Sequence, residues 1–217
     1  MSVVPPSSPI YGIPGLGTDT RVFSRLQKIC PLGIEWLEPF PKEKLSDYAV
    51  RMAEYITQPN PTLIGVSFGG ILAQEIAQLI PVRKIILISS IKAAEELPQR
   101  LQLMRTLPLY QLSRGSWRIR TLPYWGKLFG IHDPKELLLI QDMFRKHSDT
   151  YRMWAIKELV NWRPPSPTTS LIHIHGTSDR VFPIQRIQDC IRIRNGDHFM
   201  VYRRAREVEE ILETCLV

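Results

Sequence analysis

At 217 residues, with 44% hydrophobic and 23% charged side chains, the chain is long and apolar enough to bury a sizeable core, which excludes a disordered protein. Residues Met1 to Pro9 carry neither a basic start nor an apolar run, and no stretch approaches the ~18 apolar residues of a membrane span, so neither a signal peptide nor an integral membrane segment is expected. The formal charge of +7 is unevenly placed: 13 Lys/Arg and 7 Asp/Glu fall between Ile91 and Pro165, against 15 and 14 in the remainder.

That basic segment reads as a solvated helical face, with attraction for an anionic substrate or a membrane surface as the alternative. Its charges are dispersed and no nucleic-acid motif accompanies them, so no nucleic-acid partner is expected. The three cysteines, Cys30, Cys190 and Cys215, are scattered without C-x-x-C spacing and read as reduced thiols of a cytoplasmic protein. No Cys/His cluster suggests a metal, and no G-x-G-x-x-G follows a strand, so no metal or cofactor is expected.

In chain order, strand-like runs at 9–13, 33–38, 61–66, 84–90, 169–175 and 190–194 alternate with helix-like runs, the pattern of parallel β-α-β construction. The first strand leads into the glycine-rich loop Pro14-Gly15-Leu16-Gly17-Thr18-Asp19, and Asp19 or Thr20 is placed to cap a helix that buries Val22, Phe23 and Leu26. Ser46 precedes a helix carrying Tyr48, Met52, Tyr55 and Ile56, which Pro59 and Pro61 end. Next comes Gly65-Val66-Ser67-Phe68-Gly69-Gly70, between a strand pattern and a helix showing Leu72, Ile76 and Leu79 on one face. A serine on so sharp a turn is forced into a strained backbone, and glycine two residues to either side leaves room for it. Ile85-Ile86-Leu87-Ile88 is continuously apolar, as in a strand covered on both faces.

Residues 91–165 show no strand pattern. Leu101, Leu103, Met104, Leu107, Leu109 and Leu112, then Leu137, Leu138, Ile140, Met143 and Phe144, read as amphipathic helices, and Pro164-Pro165-Ser166-Pro167 as the return to the sheet. Trp117, Trp125, Trp154 and Trp162 read mainly as the core of this segment; His132 and His147 have no partner legible in the sequence. The fifth strand ends in His175-Gly176-Thr177-Ser178-Asp179, and the sixth is followed by Asn195-Gly196-Asp197-His198-Phe199-Met200. His173 and His175 share a strand face and read as packing, and Asp197, adjacent to His198, as a loop residue. The last helix buries Val208, Ile211, Leu212 and Cys215.

The G-x-S-x-G elbow, the H-G-x-x-D after a later strand and the G-x-H after the last, in that order, resemble the α/β-hydrolase superfamily over nearly the whole chain. The resemblance implies a trimmed α/β-hydrolase fold of about six mostly parallel strands flanked by helices, lacking the usual N-terminal pair of strands. Residues 1–90 and 166–217 form its core and 91–165 a helical cap insertion. It implies Ser67 as nucleophile, His198 as base and Asp179 as the acid that orients it. The backbone N–H groups of Leu16 and Phe68 are implied as the oxyanion hole, although Pro14 stands where the family usually has His; Leu16, Phe182 and Phe199 are the pocket candidates. The activity implied is hydrolysis of a carboxylic ester or thioester of a small metabolite through an acyl-enzyme. A lyase or carbon–carbon bond hydrolase using the same triad, or a catalytically silent ligand- or partner-binding protein, is the alternative.

Overall fold

Strands that are apolar on both sides must be covered on both sides, and this places Thr62–Val66 and Lys84–Ile88 at the centre of the sheet. The computed structural model describes residues 8–107, 126–167 and 169–216. Its strands are β1 (Ile10–Ile13), β2 (Leu32–Gly33), β3 (Thr62–Val66), β4 (Lys84–Ile88), β5 (Ser170–Gly176) and β6 (Ile191–Ile193). They form one sheet in the order β2-β1-β3-β4-β5-β6 with every neighbouring pair parallel, the six-stranded α/β architecture expected. Period-two alternation divides the side chains between two cores. Tyr11, Ile13, Leu63, Ile85 and Leu87 enter one; Ile64, Val66, Ile86, Ile88, Ile174 and Ile193 enter the other.

Helices α1 (Leu45–Ala53) and α2 (Phe68–Ile76) cover the first face. A single 3-10 turn (Thr20–Phe23) and α6 (Met200–Arg203) and α7 (Ala205–Leu216) cover the second. Between β4 and β5 the described residues contain no strand, but α3 (Gln99–Gln102), α4 (Pro134–Arg145) and α5 (Asp149–Asn161). Ile140 and Met143 of α4 join the second core, whereas Tyr151, Trp154 and Ala155 of α5 join the first.

Several local expectations are corrected. The strand expected over 33–38 pairs only at Leu32–Gly33. After Ile34, side chains replace the ladder: the Leu37 N–H donates to the Tyr48 hydroxyl oxygen, which in turn donates to the Leu37 carbonyl, and Trp36 turns inward. Ser46 does not precede the first long helix but lies within α1, whose first N–H, on Leu45, is satisfied by the Glu158 carboxylate of α5 at 3.1 Å. That helix ends at Ala53, before Pro59. Asp19 does cap as expected, accepting the Arg21 N–H, but of one 3-10 turn.

Leu79 lies beyond the end of α2 and is exposed. The amphipathic helix expected from Leu101 is reduced to α3 and a 3-10 turn (Leu103–Arg105), with Leu103 and Leu107 exposed; Leu109, Leu112, Trp117 and Trp125 lie outside the described residues. Among the described residues no helix is long and apolar enough to cross a membrane.

Candidate active site

Because the strands are parallel, the loops that follow β1, β3, β5 and β6 leave from the same edge of the sheet, where such folds gather chemistry. Ser67 turns the chain from β3 into α2 with φ 52° and ψ −119°, a sparsely populated conformation that costs about 1–3 kcal/mol and persists only where the surroundings enforce it. The enforcement is steric. A Cβ on Gly69 would sit 2.2 Å from the Ile13 carbonyl oxygen and 2.3 Å from that of Pro14. One on Gly65 would meet the Gly70 and Gly69 backbone at 2.4–2.5 Å. The elbow is therefore wedged between β1 and its own helix. The Ser67 N–H also donates to Ile88 of β4 at 3.0 Å.

His198 and Asp179 reach Ser67 from two loops that are laced together. The Thr177 N–H donates to the Ile193 carbonyl at 3.0 Å, Ser178 N–H to Gly196 at 2.8 Å, and Asn195 N–H to Thr177 Oγ1 at 2.8 Å. The result is one chain of hydrogen bonds: Ser67 Oγ lies 3.0 Å from His198 Nε2, and His198 Nδ1 lies 2.8 Å from Asp179 Oδ2. Asp179 is 4% exposed, and its second oxygen accepts the N–H groups of Val181 (2.7 Å) and Phe182 (2.9 Å). Burial pushes its carboxyl upward, but the neighbouring His198, with which it is hydrogen-bonded, together with His175 and the Phe182 N–H, outweighs this and holds it below the ordinary carboxylate range. An ionised Asp179 can only accept, so His198 Nδ1–H donates to it, and in the neutral imidazole Nε2 is then the acceptor that faces the serine hydroxyl.

The loop after β1 lies beside the elbow: a Cβ on Gly15 would be 3.4 Å from the Ser67 Cβ. Leu16 is partly buried there. Among the described residues no acceptor is bonded to the N–H of Leu16 or of Phe68. Phe182 has no exposed surface, and its ring meets the His198 ring edge-on at 5.4 Å. Phe199 is 6% exposed and stacks on Tyr202. Phe129, from the segment between β4 and β5, stands 5.4 Å from the His198 ring.

Other residues gain partners that sequence reasoning did not supply. His147 Nε2–H donates to the Thr18 carbonyl at 3.1 Å, and burial lowers its pKa. Asp197 accepts the Phe199 N–H and pairs with Arg203 at 2.5 Å. Trp154 and Trp162 are buried in the first core and donate to the Glu43 carbonyl and the Glu75 carboxylate, both at 2.8 Å. Trp36 and Ser90, neither carried by any motif, donate respectively to the Gly15 carbonyl in the loop beside the elbow and to the Ser67 carbonyl itself. Among the described residues no group of His, Cys, Asp and Glu is arranged to hold a metal ion.

A parallel sheet with a Ser–His–Asp chain at its carboxyl edge defines a recognisable class. The model described as the Alpha/beta hydrolase family matches residues 11–211, and the chain belongs to that family. Similar solved structures include an esterase from Exiguobacterium antarcticum, at 15% identity and TM-score 0.72, covering 96% of this chain and 91% of that one. A bromoperoxidase from Bacillus anthracis is similar at 15% identity and TM-score 0.73, with coverage of 96% and 91%. MenH from S. aureus is similar at 18% identity and TM-score 0.71, with coverage of 96% and 92%. At such identities the likeness shows the fold. No curated protein matches the chain.

Proposed function

We propose that the chain is a serine hydrolase that cleaves a carboxylic ester or thioester of a small molecule through an acyl-enzyme. The observation that carries this reading is the continuous Ser67–His198–Asp179 hydrogen-bond chain, at 3.0 and 2.8 Å, ending on a serine held in a strained turn. Ser67 Oγ attacks the carbonyl carbon while His198 Nε2 takes its proton. Asp179 fixes the His198 tautomer and stabilises the imidazolium that forms. The N–H groups of Leu16 and Phe68 hold the developing oxyanion, a task in which one donor is worth on the order of 10²–10³ in rate. His198 then protonates the leaving alcohol or thiol, activates water against the acyl-enzyme, and returns the proton to Ser67. No step in this scheme calls for a metal or cofactor.

In this reading residues 91–165 form a cap. Phe129 beside His198 and Phe144 against Gly17 put that segment next to the reacting groups, where it selects the acyl group together with Leu16; the other two pocket candidates, Phe182 and Phe199, are buried against the His198 ring and Tyr202. The similar folds named above span an esterase and a bromoperoxidase, so the fold does not choose the reaction and the residues of the site carry it.

The test is covalent labelling by fluorophosphonates of two sizes, followed by a panel of short- and long-chain p-nitrophenyl esters and acyl thioesters. Labelling of wild type that is abolished in Ser67→Ala and His198→Ala, together with turnover of at least one panel member, is the expected result. A folded wild type that neither probe labels would sink the reading in favour of a binding protein.

A further inference from the structure

Both N–H groups assigned above to the oxyanion hole belong to peptide units whose carbonyl oxygens are held by side chains outside the triad. A peptide is planar and trans, so its C=O and N–H point in opposite directions, and fixing one fixes the other. The Leu16 N–H shares its peptide with the Gly15 carbonyl. That oxygen accepts from Trp36 Nε1–H at 3.1 Å, Thr18 Oγ1–H at 2.9 Å and Thr18 N–H at 3.1 Å. The Phe68 N–H shares its peptide with the Ser67 carbonyl, which accepts from Ser90 Oγ–H at 2.6 Å and Gly70 N–H at 3.0 Å.

The Trp36 indole spans the two units. Its N–H grips the Gly15 carbonyl while its ring stacks on the Phe68 side chain, with centroids 5.4 Å apart and planes at 27°. The ring is braced in turn by Tyr151 at 5.5 Å and Tyr48 at 6.3 Å. Ser90 is fully buried, and a Cβ on Gly70 would strike its Oγ at 2.4 Å, so its hydroxyl is confined against the start of α2.

We propose that Trp36 and Ser90 are the positioning residues of the oxyanion hole, each setting one of its two N–H donors through the carbonyl oxygen of the same peptide. Two effects follow. The donors are aligned before the oxyanion forms, so little reorganisation is needed during the reaction. A carbonyl that accepts a hydrogen bond also polarises its own peptide, which makes the N–H at the other end a stronger donor. Neither side chain needs to touch the substrate, so the loss should fall on the tetrahedral species and spare the ground state.

This inference rests on the serine-hydrolase reading, and the experiment separates the two. Trp36→Phe and Ser90→Ala are compared with wild type in the second-order rate of fluorophosphonate labelling, in kcat and KM for p-nitrophenyl butyrate, and in binding of butylboronic acid and of butyrate. The expected result in each variant is labelling and kcat slowed about 10- to 100-fold, with boronic acid binding weakened by the same factor and KM and butyrate binding near wild type.

Where Trp36→Phe folds poorly, 3-benzothienylalanine at position 36 removes the N–H donor and keeps the ring. Wild-type rates per labelled site in that protein and in Ser90→Ala would overturn the proposal while leaving the hydrolase reading intact. Equal weakening of boronic acid and butyrate would also overturn it, since that marks a general loss of the pocket. A wild type that no fluorophosphonate labels would remove both readings together.

Discussion

His173 and His175 are buried side by side on β5 beneath the Asp179 loop. His175 Nε2–H donates to the Phe182 carbonyl at 2.8 Å and stands 3.4 Å from Asp179 Oδ2, while its Nδ1 lies 3.3 Å from His173 Nε2. The first contact fixes the peptide that begins the next turn of the loop, the loop whose N–H groups hold Asp179. Burial, the adjacent His175 and then Lys92 push the His173 imidazole from its ordinary 6.5 down to about 3, and burial lowers His175 as well. Both therefore stay neutral in the fold while the unfolded chain takes up protons, so stability is lost as pH falls from about 6.5 towards 3. Asp179, held low, adds a loss in the same direction further into acid, as pH falls through its folded value. Urea unfolding across this range should show the decline, with a shallower slope for His173→Gln, which cannot take up a proton. For the catalytic reading, Asp179→Asn should lower kcat by on the order of 10³–10⁴ with KM little changed, because His198 would then adopt the wrong tautomer. Steady-state kinetics on the most reactive ester reads this directly.

At the scale of elements, the elbow is a three-way packing problem between β1, β3 and α2. Gly69 lies where α2 meets the carbonyls that end β1, so adding a methyl must push the strand and helix apart. Gly69→Ala should cost about 3 kcal/mol in urea unfolding, and the surviving folded protein should label more slowly because the Pro14–Gly15 loop moves with β1. Signals of this kind are local, which is why the elbow and the strands beside it were legible: turn sterics and period-two alternation act over a few residues. Helix boundaries were less so. The α1 N-terminus is satisfied by Glu158, 113 positions away, and no nearby residue could have announced it. The last part of the expected second strand was lost to Tyr48 and Trp36, whose hydrogen bonds substitute for a ladder that an edge strand holds on one side only.

Across the molecule, the segment between β4 and β5 is fastened to both loops beside Ser67. On one side Lys146 pairs with Asp19 at 3.1 Å and Phe144 lies over Gly17. On the other, Arg203 pairs with Asp197 at 2.5 Å and Glu136 at 3.2 Å and also donates to the Gly130 carbonyl. Burial raises the carboxyls of Glu136 and Asp197, and Arg203 opposes this in each, so removing it leaves two poorly hydrated acids facing each other. Arg203→Met should destabilise the protein by about 2–4 kcal/mol at neutral pH, with a smaller penalty at pH 5, where those carboxyls protonate more readily. Thermal unfolding at the two pH values distinguishes this from simple loss of packing.

The amino-acid sequence by itself determined the alternation of strands and helices, the strained serine turn and the three residues that the structure joins into one hydrogen-bond chain. Each of these is written in spacing, glycine placement or order along the chain. Only the tertiary structure decided what surrounds them: that Trp36 reaches Gly15 across 21 positions, that Ser90 reaches Ser67 across 23, and that Arg203 joins residues of two segments. Such contacts follow from strand order and loop lacing, and a hydrogen bond between distant residues leaves no mark on the sequence near either of them.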